Sequence, residues 1–270
     1  MLPQIRLSRS GLETSRLGLG TSRLHYISSD AGRAALIHGA LDTGVRHFDT
    51  ARLYGDGLAE RALGRALKGR RHQASIATKF GLLPSRAIEM LGPLAQSLRI
   101  ARALCRKAGL FTQPRRSWTP ATLDSNLAAS LRALDTDYID ILFLHDARAG
   151  EIVGHDDLAA ALLAARQGGK VRHLGITGDP RDAAVIMAAF PGLFDVVQAP
   201  ENTWDETLIP DFTFGALSQC SQNFGAGKLE AGQAEAGLLR ALARRPSGAV
   251  LVGTSRLANL QALVRAAAVS

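Results

Sequence analysis

The sequence predicts an α/β protein, a (β/α)8 TIM barrel preceded by an N-terminal β-hairpin. Short apolar runs alternate with helical patterns along most of the chain. Runs such as ILFL and VLV are apolar at every position, which is typical of strands in a parallel sheet that helices cover. Eight such strands can be identified, and eight strand–helix units close into a barrel.

The predicted elements follow one another in a regular order. The hairpin spans residues 4–15, with its turn at Arg9-Ser10-Gly11. The candidate strands are 16–20, 45–48, 75–80, 138–144, 171–176, 194–198, 212–217 and 249–252. The candidate helices are 31–42, 58–68, 122–134, 156–167, 182–189, 229–244 and 257–267, with a weaker helical pattern over 204–208.

Composition narrows the class of protein. With 270 residues, 46% of them hydrophobic, the chain is expected to form a single domain over 1–270. The net charge of +8 comes from basic residues scattered among acidic ones, and only 5% of residues are aromatic, so a small anionic ligand is favoured over a nucleic acid. Cys105 and Cys220 are too few for a disulfide framework or a thiolate metal cluster.

Two further expectations concern targeting and an irregular segment. We expect a soluble cytoplasmic protein, because the sequence shows neither a leader nor an apolar run of about 18 residues, and the sequence does not indicate an oligomeric state. Residues 82–118 break the repeat as an arginine-rich insertion after the third strand. They form either a solvated helix with a basic outer face or a lid over a pocket at that end of the barrel.

Four candidate catalytic residues follow successive strands. Asp49 and Tyr54 lie in the stretch GVRHFDTARLYGDGLAERALGRAL, Lys79 ends the run IATK, and His145 ends ILFLH. The loops after parallel barrel strands meet at one rim, so these side chains are expected to be neighbours. A single lysine or histidine at such a position is usually solvated or structural, but four ionisable residues at one rim favour a functional site.

Their chemistry indicates a proton donor aimed at a carbonyl. The Lys79 ammonium is expected to lower the pKa of Tyr54, and Asp49 to hold that ammonium in place. A neutral His145 would donate a hydrogen bond to a carbonyl oxygen. The set contains neither a reductant nor an evident nucleophile, so a cofactor is needed to complete a reaction.

The chain resembles the aldo/keto reductase superfamily over nearly its whole length. The stretch over 44–67 is similar to that family's first motif, and IATKFG, LDTDYIDILFLHD, GKVRHLGITG and VLVGTSRLANL are similar to later motifs in the same order. The resemblance implies NADPH bound in extended form at the C-terminal face of the barrel. It also implies a catalytic tetrad formed by Asp49, Tyr54, Lys79 and His145.

The resemblance also implies cofactor contacts. Gly20, Thr21 and Asp49 would lie beside the nicotinamide. Gln198 would bind its carboxamide, where Thr177-Gly178 replaces the usual Ser-Asn and Asn202 is a possible substitute. Phe214, in place of the usual tyrosine, would stack on the ring, and Leu217 would approach the pyrophosphate. The adenosine end would be held by Gly253, Thr254, Ser255, Arg256 and Asn259, of which Arg256 is the one positively charged residue.

These features predict an NADPH-dependent oxidoreductase that reduces an aldehyde or ketone, or oxidises a sugar or alcohol in reverse, with Tyr54 as general acid. NADP is preferred and NAD stays open. Two alternatives are a cofactor-sensing binding protein on the same barrel and a Schiff-base aldolase acting through Lys79. Only about one helix follows the last strand, so we expect the pocket to be open or covered by the 82–118 insertion.

Overall fold

The computed structural model describes residues 2–83, 114–218 and 232–269. The strands, numbered along the chain, are β1 (Gln4–Arg6), β2 (Glu13–Ser15), β3 (Leu17–Gly20), β4 (His47–Asp49), β5 (Ser75–Phe80), β6 (Leu82–Leu83), β7 (Arg115–Arg116), β8 (Ile139–His145), β9 (Val171–Thr177), β10 (Val196–Pro200), β11 (Phe212–Phe214) and β12 (Ala249–Val252). The α-helices are α1 (Asp30–Asp42), α2 (Leu58–Leu67), α3 (Pro120–Leu134), α4 (Ala149–Ile152), α5 (Asp156–Gln167), α6 (Pro180–Ala189), α7 (Gln233–Arg244) and α8 (Leu257–Ala267).

The predicted (β/α)8 barrel is confirmed. Strands β3, β4, β5, β8, β9, β10, β11 and β12 form a closed ring in that order, and every neighbouring pair is parallel. The carboxyl ends of all eight strands therefore face the same rim. The large core lies between this ring and the helices, while a second apolar cluster fills the barrel interior.

The predicted N-terminal hairpin is also present, and it closes the other end of the barrel. β1 pairs with β2 in antiparallel fashion, and Gly11 adopts a left-handed φ of 71° in the turn. Leu7 is fully buried in the interior cluster beside residues such as Phe143 and Phe212. This plug leaves the rim at the carboxyl ends as the open face.

Helix starts differ slightly from the predicted ones because capping residues precede the apolar pattern. Helix α3 begins at Pro120, two residues earlier than expected, since the Thr119 side chain accepts a hydrogen bond from the amide of Thr122 at 3.2 Å. Asp179 caps α6 in the same way through the amide of Arg181 at 2.8 Å. Each cap satisfies an amide that the helix itself leaves unpaired.

Two predicted elements differ from the structure. The strand expected over 212–217 ends at Phe214, because Gly215 turns the backbone to a φ of 85° and residues 216–218 are helical. The helix expected over 204–208 is absent: residues 206–207 form a turn, residue 208 is a bend, and residues 204–205 have no regular structure. There the Asp205 carboxylate accepts a hydrogen bond from the amide of Thr207 at 2.9 Å, a local bond that competes with helix formation.

Some sequence-based predictions lie outside the described residues. They are residues 84–113 of the insertion, residues 229–231 of the helix predicted over 229–244, and both cysteines. The neck of the insertion is described: β6 and β7 form a short antiparallel pair directly after β5. Among the described helices, none is long and apolar enough to cross a membrane.

Candidate active site

Lys79 is the centre of a buried polar cluster at the open rim. Its Nζ donates hydrogen bonds to both carboxylate oxygens of Asp49 at 2.7 Å and to the carbonyl oxygen of Thr50 at 2.9 Å. It also lies 3.2 Å from the hydroxyl oxygen of Tyr54. Asp49 ends β4 and Lys79 lies near the end of the adjacent β5, so the parallel register of the two strands produces this ion pair.

Tyr54 is presented by a compact loop between β4 and α2. The residues that follow it, Gly55, Asp56 and Gly57, all have left-handed φ values, of 61°, 50° and 82°. Such a run is accessible only because two of the three residues are glycines and the third is an aspartate, which tolerates this region better than most residues. The loop folds back so that the Tyr54 carbonyl accepts a hydrogen bond from the amide of Ala59 at 3.2 Å.

The charges in this cluster are strongly coupled. Burial alone would lower the pKa of Lys79, but the Asp49 carboxylate and the Tyr54 hydroxyl outweigh it, and the pKa of Lys79 is raised. Lys79 is therefore a protonated ammonium at neutral pH. Burial raises the pKa of Tyr54 and outweighs the lowering effect of Lys79, so the expected net lowering of the Tyr54 pKa is wrong in direction.

His145, the last residue of β8, faces Tyr54 across the rim. The two rings meet edge to face, with centroids 6.1 Å apart and planes at 86°. Burial, followed by the charges of Lys79 and Arg116, holds the pKa of His145 well below its usual value, so the imidazole is neutral. Its Nδ1 is buried and has no hydrogen-bond partner among the described residues.

A cavity of about 1260 Å³ connects this cluster to the start of α8. It runs past the ends of β9 to β12 and contains all four candidate catalytic residues. The other predicted residues that line it are Gly20, Thr177, Gly178, Gln198, Phe214, Leu217, Gly253, Thr254, Ser255, Arg256 and Asn259. Its length and mixed lining suit an extended ligand with a flat polar ring at one end and an anion at the other.

Two residues with predicted cofactor roles are placed differently. Thr21 lies behind the cavity wall, fully buried, where its hydroxyl donates to the Asp49 carbonyl at 3.0 Å and holds the end of β4 in place. Asn202, the suggested substitute at the carboxamide, lies in an exposed turn and is not among the described residues that line the cavity. Its neighbour Thr203 lines the cavity instead.

Gln198 joins the catalytic cluster to the rest of the cavity. Its Nε2 donates to the Asp49 carboxylate at 2.9 Å, while its Oε1 is buried without a partner among the described residues. A buried acceptor without a partner is costly, so an amide N–H group of a ligand would be well placed to bind it. The ring of Phe214 is the exposed aromatic surface of the same cavity.

Arg23 is a cavity residue that the sequence analysis missed. It follows β3, and its side chain lies 3.8 to 3.9 Å from where a Cβ atom on Gly253 would be. Together with Arg256 it gives the far end of the cavity two guanidinium groups. The cavity also contains Asp179 and Glu235, which sequence reasoning did not single out. The available signal was that Arg23 lies two residues after Thr21, in the loop that follows β3.

Comparison with known proteins identifies several relatives. The chain is 31% identical over 180 residues to Aldo-keto reductase AMT2 of Alternaria alternata (63% of this chain, 48% of that protein) and 30% identical over 203 residues to L-galactose dehydrogenase of Arabidopsis thaliana (71% and 54%). It thus spans about half the length of both relatives. It is also 29% identical over 261 residues to D-threo-aldose 1-dehydrogenase of Pseudomonas sp (83% and 73%).

Solved structures show the same fold. An aldo-keto reductase from Bacillus halodurans in its holo form superposes with a TM-score of 0.74 at 22% identity, covering 98% of this chain and 91% of that one. One from Klebsiella pneumoniae in complex with NADPH gives 0.71 at 18% identity, covering 99% and 90%. The sequence profile described as Aldo/keto reductase family matches residues 16–207. The chain therefore belongs to the aldo/keto reductase family of oxidoreductases.

Proposed function

We propose that the protein transfers a hydride between a nicotinamide cofactor, preferentially NADP(H), and a small carbonyl compound or the corresponding alcohol, with Tyr54 as the general acid or base. One observation carries this proposal. The Tyr54 hydroxyl lies 3.2 Å from a buried, charged Lys79 and opposite a neutral His145, all facing one cavity. This is the arrangement needed to protonate a carbonyl oxygen as negative charge develops on it.

Each residue has a distinct part in reduction. When bound, a nicotinamide cofactor would supply the hydride for the carbonyl carbon. Tyr54 gives its proton to the carbonyl oxygen and becomes a phenolate that the Lys79 ammonium stabilises. Asp49 fixes that ammonium, and the neutral His145 orients the carbonyl by donating a hydrogen bond. Since burial raises the pKa of Tyr54, the hydroxyl is protonated at neutral pH, which suits an acid in reduction.

The cavity residues fit such a cofactor. The buried Oε1 of Gln198 can accept from a carboxamide N–H, and the Phe214 ring offers a face for stacking. At the far end Arg23 and Arg256 supply positive charge, and neither forms an ion pair within the described residues. Two unpaired guanidinium groups favour a ligand with phosphates at this end, which supports a preference for NADP over NAD.

A sugar is the substrate class best supported by the relatives. L-galactose dehydrogenase and D-threo-aldose 1-dehydrogenase are named for oxidation of sugars, and the second is matched over most of both chains. For this chain we propose oxidation of an aldose at its anomeric carbon, or the reverse reduction, with the same Tyr54 accepting or donating the proton. An aliphatic or aromatic aldehyde or ketone is the other substrate class.

The geometry argues against a Schiff-base aldolase. An amine must be neutral to attack a carbonyl, but Lys79 is fully buried, is ion-paired with Asp49 and has a raised pKa. A cofactor sensor without turnover would require no proton donor aimed at the cavity. The intact cluster around Tyr54 supports an enzyme.

The experiment is a spectrophotometric screen in both directions. Purified protein is assayed with NADPH and NADH against aldehydes, ketones and aldoses, and with NADP and NAD against aldoses and simple alcohols. We expect cofactor-dependent turnover of at least one compound, with loss of that turnover in Tyr54→Phe. Tight NADPH binding without turnover across the panel would favour the sensor, and borohydride trapping of a substrate on Lys79 would favour the aldolase.

A further inference from the structure

The turn directly after His145 is held in an uncommon conformation. Asp146 has a left-handed φ of 55°, which few residues other than glycine adopt without support. From one side Gly178 presses against it, since a Cβ atom there would lie 3.3 Å from the Asp146 Cα. The Ala147 amide is tied to the Thr177 carbonyl at 3.2 Å. The position of the His145 side chain therefore depends on how this turn is fixed.

Arg116 of β7 fixes the turn from the other side. Its guanidinium donates to the Asp146 carbonyl oxygen and, at 3.1 Å, to the Asp146 carboxylate. Its Nε donates to the Glu151 carboxylate of α4 at 2.9 Å. The same Glu151 oxygen accepts from the indole nitrogen of Trp118 at 3.0 Å. One planar guanidinium thus joins the neck of the insertion, the turn after β8 and helix α4.

We propose that Arg116 is a positioning residue for the active site: it holds the Asp146 turn so that the His145 imidazole stands opposite Tyr54. This inference rests on the proposed function, in which His145 orients the substrate carbonyl. Asp146 lines the cavity, whereas Arg116 is not among the described residues that do. Arg116 therefore acts through the turn and not by touching the substrate.

The charge of Arg116 supports the same role. The Tyr54 ring meets the imidazole edge to face, the charges of Lys79 and Arg116 act on it, and Asp146 is adjacent in the chain. After burial and Lys79, Arg116 is the third influence that lowers the pKa of His145. A neutral imidazole can donate a hydrogen bond to a carbonyl without giving up its proton. Arg116 therefore both positions the His145 imidazole and helps to keep it neutral.

The test compares three variants. Arg116→Met removes the charge and the hydrogen bonds. Arg116→Lys keeps the charge but cannot reproduce the planar fork. Arg172→Met is the matched control, because Arg172 also bridges a carboxylate, Asp140 at 2.9 Å, and lies over the Tyr138 ring, but at the opposite end of the barrel. The readouts are kcat, KM, cofactor Kd, and the ¹⁵N signals of the His145 imidazole, assigned with His145→Gln.

We expect kcat to fall about ten- to a hundredfold in both Arg116 variants, because a small displacement of an orienting group is costly, while cofactor Kd stays within about twofold. The imidazole signals should change in both variants. The pH at which His145 titrates should rise in Arg116→Met and stay near the wild-type value in Arg116→Lys. Arg172→Met should change none of these quantities.

Several results would overturn the inference. They are a wild-type kcat in Arg116→Met, a fall in kcat with unchanged His145 signals, or the same losses in Arg172→Met. Should Arg116→Met fail to fold, Glu151→Gln tests the same interaction, since it removes the carboxylate that accepts hydrogen bonds from both Arg116 and Trp118. The imidazole signals are read without substrate. They therefore report on how Arg116 positions His145 even if the protein does not have the proposed oxidoreductase activity.

Discussion

Gln198 and Asp49 are 149 positions apart in the chain, yet the Gln198 amide donates a hydrogen bond to the Asp49 carboxylate at 2.9 Å. The same carboxylate accepts two hydrogen bonds from Lys79. One carboxylate therefore links the residue proposed to bind the nicotinamide carboxamide to the ion pair beside Tyr54. The proposed cofactor site and the proposed proton donor are therefore parts of a single hydrogen-bonded unit.

Gln198→Met should weaken cofactor binding about tenfold, because the buried Oε1 that would accept from the carboxamide is lost. Its fold should be nearly unchanged, since the variant also removes an acceptor that has no partner among the described residues. Fluorescence titration of NADPH measures the affinity. Asn202→Ala, at an exposed residue that is not among the described residues lining the cavity, is the control and should bind as the wild type does. Equal affinities for Gln198→Met and wild type would contradict the assignment.

Tyr54→Phe should abolish most carbonyl reduction while leaving NADPH affinity nearly unchanged. The substitution removes the transferable proton and very little contact area. A positioned general acid commonly contributes about two to four orders of magnitude in rate. Steady-state kinetics and a binding titration on the same preparation check the two parts. A variant that retains more than half of the wild-type turnover would refute the role of Tyr54.

Lys79→Arg should keep measurable activity and Lys79→Met very little. Arginine preserves the positive charge beside Tyr54, but its wide planar group cannot form all the short bonds that Lys79 makes to Asp49 and Thr50. Without the cation, nothing in the cluster opposes the rise in the Tyr54 pKa that burial causes. The alkaline limb of alcohol oxidation should therefore move to higher pH in Lys79→Met.

The pH profile of alcohol oxidation and the two kcat values provide the measurement. Asp49→Asn/Lys79→Met serves as a folding control, since it removes the buried carboxylate that Lys79→Met alone leaves without its cation. It should be more stable than Lys79→Met and just as inactive. Two equally inactive single variants with an unshifted alkaline limb would count against the mechanism.

The sequence predicted the barrel well because the strands are buried on both faces. Apolar runs such as β8 and β12 have no plausible alternative, and the glycines and aspartates of the Tyr54 loop mark where the strand pattern ends. The strand predicted over 212–217 ends early, at Phe214, because one residue, Gly215, turns the backbone within an apolar run. Periodicity alone does not reveal such a turn.

The contacts between distant strands could not be predicted from the sequence. The bond between Gln198 and Asp49 depends on the register of the closed barrel, which no local pattern records. The place of Arg23 beside Gly253 likewise follows from β3 and β12 being neighbours in the ring. The net direction of the Tyr54 pKa shift required the depth of burial, which outweighs the neighbouring charge.

Arg256→Ala should weaken NADPH binding far more than NADH binding, because Arg256 lies at the start of α8, the end of the cavity that we propose to bind the phosphate by which the two cofactors differ. Arg23→Ala should weaken both, with a larger loss for NADPH if its side chain also reaches the distinguishing phosphate across Gly253. Fluorescence titrations with each cofactor at two salt concentrations measure the effect. An equal loss of both cofactors in Arg256→Ala would show that Arg256 does not contact that phosphate.

His47 should make the protein sensitive to acid. Its ring is fully buried in the barrel, stacked on Phe212 at 4.2 Å, and Nδ1 lies 2.9 Å from the Ser75 hydroxyl. Burial is the main influence that lowers the pKa of His47 to about 4. In the unfolded chain the pKa of a histidine is about 6.5. Between about pH 4 and about pH 6.5 the unfolded state therefore binds more protons than the folded state. The stability that the buried, neutral His47 contributes is therefore fully present above about pH 6.5 and is lost as the pH falls towards 4.

The lowered pKa of His47 corresponds to a loss of about 3 kcal/mol between neutral pH and pH 4, and the lowered pKa of His145 acts in the same direction. His47→Gln can keep a hydrogen bond to Ser75 but cannot be protonated, so its free energy of unfolding should depend much less on pH. Urea unfolding at a series of pH values from neutral to about 4.5 measures this slope. His72→Gln, at an exposed position, is the control and should retain the wild-type slope. If His47→Gln loses as much stability as wild type over this range, the buried His47 ring is not what makes the fold sensitive to acid.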